Sequence, residues 1–274
     1  MIFQFNKKQT QAHTACEFQH RNEKAMKKLI WGLLCCCAGS VSYANNEVHW
    51  GYQGEVSAEH WGALSDQYQL CATGKNQSPI NIQGTYHSTD QHPIQIDYAE
   101  NPENIVFNGH TVQVNAKNSQ NNKVTIDGEN YYLKQFHFHT PSENTIDGKQ
   151  FPLEIHFVNA NAQGQLTVLA VMVENGQANP EWTKLWKDFK AQENQTKPIT
   201  SQIQLQNLLP TTREYYRFSG SLTTPPCSEG VNWIVYKNPI TMSQDQIQML
   251  QKVLNFQHNN RPVQVQNGRI IIED

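Results

Sequence analysis

Several things are scarce in this chain, and each scarcity closes a class of function. Charge is one: Asp, Glu, Lys and Arg make up 16% of the 274 residues and sum to −3. No basic run stands out in the body of the chain, which excludes nucleic-acid binding through bulk positive charge. Long apolar runs are missing too, since nothing reaches the roughly 18–20 residues of a bilayer span. Repeats and low-complexity linkers are absent from residues 45–274. One domain, large enough to bury a substantial core, is the economical reading. Surface polarity must come largely from Asn and Gln, which are abundant.

Cysteine is sparse once the N-terminus is set aside. From Met26 the chain runs MKKLIWGLLCCCAGSVSYANN. Two lysines, an apolar stretch and then Ser42-Tyr43-Ala44 make the pattern of a secretory signal. Residues 1–25 are polar and patternless, so Met26 is either the true start or the signal carries a long n-region. Residues 1–44 therefore read as extension and leader, with cleavage after Ala44 and a periplasmic or otherwise exported product. Cys16, Cys35, Cys36 and Cys37 leave with the leader. Cys71 and Cys227 remain and most simply form one disulfide, two free buried thiols being the alternative.

Strand signals dominate the rest. IVFNGHTVQVNA, NKVTIDGENYYLKQFHFHT, PLEIHFVNA, QLTVLAVMVE, EYYRFSGSLT, VNWIVYKNPI and GRIIIE are rich in β-branched and aromatic residues. Turn formers such as Asn108-Gly109, Asp127-Gly128, Asp147-Gly148 and Asn267-Gly268 separate or end them. Two helices are expected. One starts at Ser243, with Gln246 completing a capping box and Ile247, Leu250, Val253 and Leu254 on one face. The other is PEWTKLWKDF, with Trp182, Leu185, Trp186 and Phe189 on one side. The fold class is mainly β: a single domain on a large twisted, mostly antiparallel sheet of about ten strands, with a few short peripheral helices.

Histidine is where the pattern turns chemical. In a strand alternate side chains share a face, so Gln135, His137 and His139 point one way and Phe136 and Phe138 the other. In LEIHFV, Glu154 and His156 share a face. If the two strands pair antiparallel, three imidazoles converge. Burying them without partners is costly, and three histidines around an open fourth position describe a catalytic zinc site. A metal-bound histidine usually donates its other ring N–H to an acceptor, a part that Gln135 and Glu154 are placed to play. A few satisfied core histidines are the bland alternative.

With these residues in view, the chain resembles the α-class carbonic anhydrases, most of all their exported bacterial members. The resemblance rests on HWGY (49–52), QSPINI (77–82), NGH (108–110), QFHFHTPSENTIDG (135–148), LEIHFV (153–158), GSLTTPPCSEGVNWIV (220–235) and NNRP (259–262). It implies zinc-dependent reversible hydration of CO2 to bicarbonate and a proton, by attack of zinc-bound hydroxide. The implied ligands are His137, His139 and His156, with Gln135, Glu154 and the backbone carbonyl near Asn259 behind them. Thr223 is implied to accept from the hydroxide and to donate to Glu143. Val158, Val168, Leu222, Thr224, Val231 and Trp233 match the substrate pocket. His110 matches the proton shuttle, an imidazole being suited to exchange protons near neutral pH. Tyr52, Asn108 and Gln113 match the anchors of its water chain, although Gln113 is longer than the Asn of the animal enzymes. The resemblance also implies cis bonds before Pro79 and Pro226, weak esterase activity, and inhibition by sulfonamides and small anions. Bacterial relatives suggest a homodimer, with no interface signature in the sequence.

Overall fold

Period-two alternation of large apolar residues decides the architecture, because the central strands bury both of their sides. The structure, a computed structural model, describes residues 48–274 apart from Gln91, Lys190, Ala191 and Phe256. The leader, the Met26 start and the Ala44 cleavage point lie outside the described residues.

A 13-stranded sheet dominates, beside a two-stranded one. Its centre runs Val112–Asn115, Glu129–His139, Leu153–Ala160, Leu166–Asn175, Glu229–Tyr236 and Tyr215–Ser221 in spatial order. Most pairings are antiparallel, but Leu166–Asn175 lies parallel to both Glu229–Tyr236 and Ile240–Met242. The sheet exceeds the expected ten strands because two-residue edge pairings such as Tyr86–His87 and Lys197–Pro198 join it. Patterns of alternation cannot register so short a segment.

The two sides of the sheet carry different cores. Phe136, Phe138, Ile155, Phe157, Leu169, Val171 and Val173 face a large cluster that includes residues of both main helices. The alternate residues Val168, Ala170, Met172, Val231, Trp233 and Val235 face a smaller one with Ile80 and Ile82. Fully burying one such side chain contributes about 1.5–3 kcal/mol before entropy is charged against it.

Register across this second side is fixed. His137 pairs with His156, and His156 with Ala170; Gln135 pairs with Val158, Val158 with Val168, and Val168 with Trp233. The imidazoles therefore share the side of the smaller core. Asp127-Gly128 and Asp147-Gly148 have positive φ at both positions (51° and 78°, 48° and 77°), the backbone of tight hairpin turns. The first joins Asn122–Ile126 to Glu129–His139, and the second closes the Ile146–Lys149 bridge within the return between the histidine strands.

Helix Gln244–Val253 starts as its sequence demands, with both halves of the Ser243/Gln246 capping box formed and Ile247 and Leu250 buried. Helix Pro180–Asp188 is capped by Asn179 with proline in its first turn. Its Trp182 packs edge-on against Phe138, ring centroids 4.6 Å apart, directly behind the histidine strand. Cis bonds precede Pro79 and Pro226, and a third, unforeseen, precedes Pro141 just past His139. Cys71 and Cys227 are joined as a disulfide, Cα atoms 5.1 Å apart, so the free-thiol alternative falls away.

Candidate metal centre and its cleft

Each histidine of the trio has one ring nitrogen engaged and the other free. His137 Nδ1 donates to Gln135 Oε1 (2.8 Å), and His139 Nδ1 donates to the carbonyl of Asn259 (2.7 Å). His156 differs, donating through Nε2 to Glu154 Oε1 (2.9 Å). Those oxygens can only accept, so they fix the tautomers and leave Nε2, Nε2 and Nδ1 with lone pairs. One such atom from each residue lies within 4.8 Å of the others. Burial holds all three imidazoles neutral, pushing His137 and His156 well below the usual histidine range and His139 below it. Neutral nitrogen is the state a metal requires.

The partners are themselves held. Glu154 Oε2 accepts the backbone N–H groups of Glu143 (2.7 Å) and Asn144 (2.8 Å), while Oε1 also accepts Asn144 Nδ2 (2.7 Å). Glu143 Oε1 accepts the N–H of Arg261 (2.8 Å). Its other oxygen, Oε2, has no hydrogen-bond partner and sits 3.5 Å from His139 Nε2, which is equally without one. Burial pushes the Glu143 carboxyl up to about 8, against the Arg261 amide and the nearby Thr223 hydroxyl, which pull it down. A buried lone pair on nitrogen beside a buried lone pair on oxygen, neither satisfied, is costly in a closed core. A cation there would relieve both, and three neutral imidazoles are the donor set zinc prefers. The residues fit the metal.

An apolar wall and a polar passage flank this point. Val168, Val231 and Trp233 are buried, with Val158 and Leu222 packed against them. The Trp233 ring meets His156 edge-on at 4.9 Å. On the other flank a cavity of about 120 Å³ is shared by His137, His139 and Thr224 with Gln135, Gln113, Asn108, Tyr52 and His110. His110 lies half-buried at its outer end, stacked on Trp50 at 3.7 Å and 7°. Asn108 is partly committed already, its Oδ1 accepting the N–H groups of His110 and Thr111. The longer Gln113 accepts from Asn108 Nδ2 (3.4 Å) and donates to Asn115 Oδ1 (2.7 Å).

Sequence reasoning assigned nothing to Asn144, Arg261 or Trp50. Arg261 is buried, donating to Gln77 Oε1, the carbonyl of Ser78 and the carbonyl of Cys71. Each of the three stands inside or beside a motif quoted above, which was the available signal. What each holds became legible only in three dimensions.

Comparisons place the chain. The signature of the eukaryotic-type carbonic anhydrase family matches residues 56–274. A carbonic anhydrase of Pectobacterium atrosepticum is 52% identical over 241 residues, covering 88% of this chain and 96% of that one. The structure of the α-carbonic anhydrase from Thermovibrio ammonificans, solved in complex with the inhibitor sulfanilamide, is 46% identical. It superposes with a TM-score of 0.79 over 82% of this chain and 99% of that one. Dioscorin complexed with ascorbate shares the architecture at 27% identity and a TM-score of 0.77, over 82% of this chain and 97% of that one.

Proposed function

The chain belongs to the eukaryotic-type, or α, carbonic anhydrase family, enzymes that hydrate carbon dioxide, and on that premise we propose that it works as a zinc enzyme with His110 as its proton relay. The observation carrying this reading is the convergence of three neutral ring nitrogens, from the buried His139 and His156 and the partly buried His137, beside an unsatisfied carboxylate oxygen. Zinc held by His137, His139 and His156 supplies a Lewis acid that lowers the pKa of water toward neutrality, an effect for which carbonic anhydrases are the standard case.

The chain's own residues do the rest. Gln135, Glu154 and the Asn259 carbonyl fix the ring tautomers, so the free nitrogens need not reorganise. Thr223, close enough to the Glu143 carboxyl to pull its pKa down, would commit its hydroxyl proton to the free Oε2, which would leave its own oxygen able only to accept. It therefore selects and orients a nucleophile that still carries a proton. Val158, Val168, Leu222, Val231 and Trp233 offer CO2, which has no hydrogen to donate, a wall without competing polar groups, and Thr224 borders the opening. The reaction CO2 + H2O ⇌ HCO3− + H+ leaves one proton to be removed. Tyr52, Asn108 and Gln113 line a passage whose outer end is His110, an imidazole suited to take up that proton and release it to buffer.

Residues 1–44 are proposed to be a secretory leader cleaved after Ala44, a reading the disulfide supports because such bonds persist in oxidising compartments. No described helix is long and apolar enough to cross a membrane. The deciding experiment measures zinc stoichiometry and CO2 hydration together. One zinc per chain with activity lost on chelation supports the proposal, and activity without zinc overturns it. The mass of the exported protein tests the leader.

A further inference from the structure

Asn259 reaches two parts of the site through different atoms. Its backbone carbonyl accepts from the His139 ring. Its side chain, on a residue 2% exposed, makes three further bonds. Oδ1 accepts the N–H of Thr140 (2.8 Å), and Nδ2 donates to the carbonyls of Phe138 (2.9 Å) and His110 (3.0 Å).

The need for that amide follows from the register. The ladder between Val112–Asn115 and Glu129–His139 stops at the Gln113–His137 pair. Beyond it the Phe138 carbonyl accepts from Thr111 Oγ1 (2.5 Å) and from Asn259 instead. The segment leading into Val112 has a similar want. Asn108 Oδ1 caps the N–H groups of His110 and Thr111, which leaves the His110 carbonyl for Asn259. The two hydrogens of one planar NH2 group point in fixed directions, so these carbonyls are locked to each other. One belongs to the relay residue and the other to the residue before a metal ligand.

We propose that the Asn259 side chain is a positioning residue for proton relay, bracketing the backbone of His110 to the strand end that carries His139. This rests on the reading of His110 as the relay. It is separate from the grip of the Asn259 carbonyl on the His139 ring, which any residue at 259 would keep. Removing the amide leaves the His110 carbonyl without that donor and the Phe138 carbonyl with Thr111 Oγ1 alone, which frees the His110 loop, and transfer geometry is sensitive to displacements near an ångström.

The test is Asn259→Ser in the zinc-loaded full chain. Zinc content is measured alongside and rates are compared per bound zinc, because Asn259 also holds the His139 ring through its carbonyl. CO2 hydration in weak buffer should fall roughly ten-fold, and concentrated imidazole should restore it to within about two-fold of wild type. In the zinc-free protein, NMR signals of the His110 ring should move toward those of a solvent-averaged histidine. Equal loss in weak and strong buffer, or unchanged His110 signals, would overturn the inference. His110→Ala run alongside separates the two claims: if it loses nothing in weak buffer the relay reading fails, while the NMR result still decides whether Asn259 holds His110. Should the serine variant not fold, hydrogen exchange on wild type decides. Slow exchange of the Asn259 side-chain protons with a scalar coupling across to the His110 carbonyl supports the bracket, and exchange at the bulk rate sinks it.

Discussion

His137 and His156 stand directly opposite each other on adjacent antiparallel strands, their rings 5.3 Å apart and almost perpendicular at 88°. Perpendicular rings on facing residues aim their nitrogens at a shared point instead of stacking. The convergence of the trio is thus a property of strand register, and His139, the next residue on the same face, completes it.

Replacing His137 with alanine is expected to abolish stoichiometric zinc. The rate should fall by more than the roughly 10–100-fold that loss of an outer partner costs. Metal analysis and a CO2 hydration assay on the same sample check this; full zinc with an unchanged rate would refute it.

Glu154→Gln should be nearly as informative. Glu154 accepts four hydrogen bonds, two from backbone N–H groups, one from Asn144 and one from His156. An amide there turns at least one donor against another, so zinc affinity should drop by about 10–100-fold. A competition titration with a chelator reads the change.

His110 should titrate below an ordinary imidazole. Burial, then the charge of His49, lowers the pKa of His110, while Glu193 pulls it up. In an NMR titration His49→Ala should raise that pKa and Glu193→Gln should lower it further. The stability consequence has a definite sign. A depressed folded pKa means that the unfolded chain binds the proton more readily. This group therefore costs nothing above the unfolded value near 6.5 and destabilises the fold as pH falls through it. A His110→Ala variant should lose less stability than wild type across that window.

Reducing the Cys71–Cys227 bond opens a loop spanning 156 residues of sequence. Chain entropy alone predicts a loss of about 5 kcal/mol. Denaturant melts with and without reductant measure it, and an unchanged midpoint would contradict the prediction. Cys227 follows the Thr223–Pro226 segment and its N–H donates to the Thr224 carbonyl (2.9 Å), so activity should fall before the protein unfolds globally.

What the sequence disclosed was whatever repeats locally. The His137-x-His139 and Glu154-x-His156 spacings, the Ser243/Gln246 box and the Asp-Gly turns are readable because two or four residues of one element decide them. Arg261 is different: it meets Glu143 across 118 residues and Cys71 across 190, and no periodicity spans such distances. The switch of His156 to its Nδ1 was equally hidden, since it depends on where the Glu154 carboxylate is pinned by the backbone of Glu143 and Asn144. The edge strands were undercounted because two residues cannot show alternation.

The strand Glu129–His139 places Phe136 and Phe138 behind it and its imidazoles in front. A slip of one position against its neighbours would exchange those sides, turning benzene rings to the cleft and imidazoles into oil. No half-competent misassembled enzyme is available along that coordinate. A chain zipped up in that register would bring no three imidazoles to one point, so the candidate metal centre would be missing altogether rather than weakened.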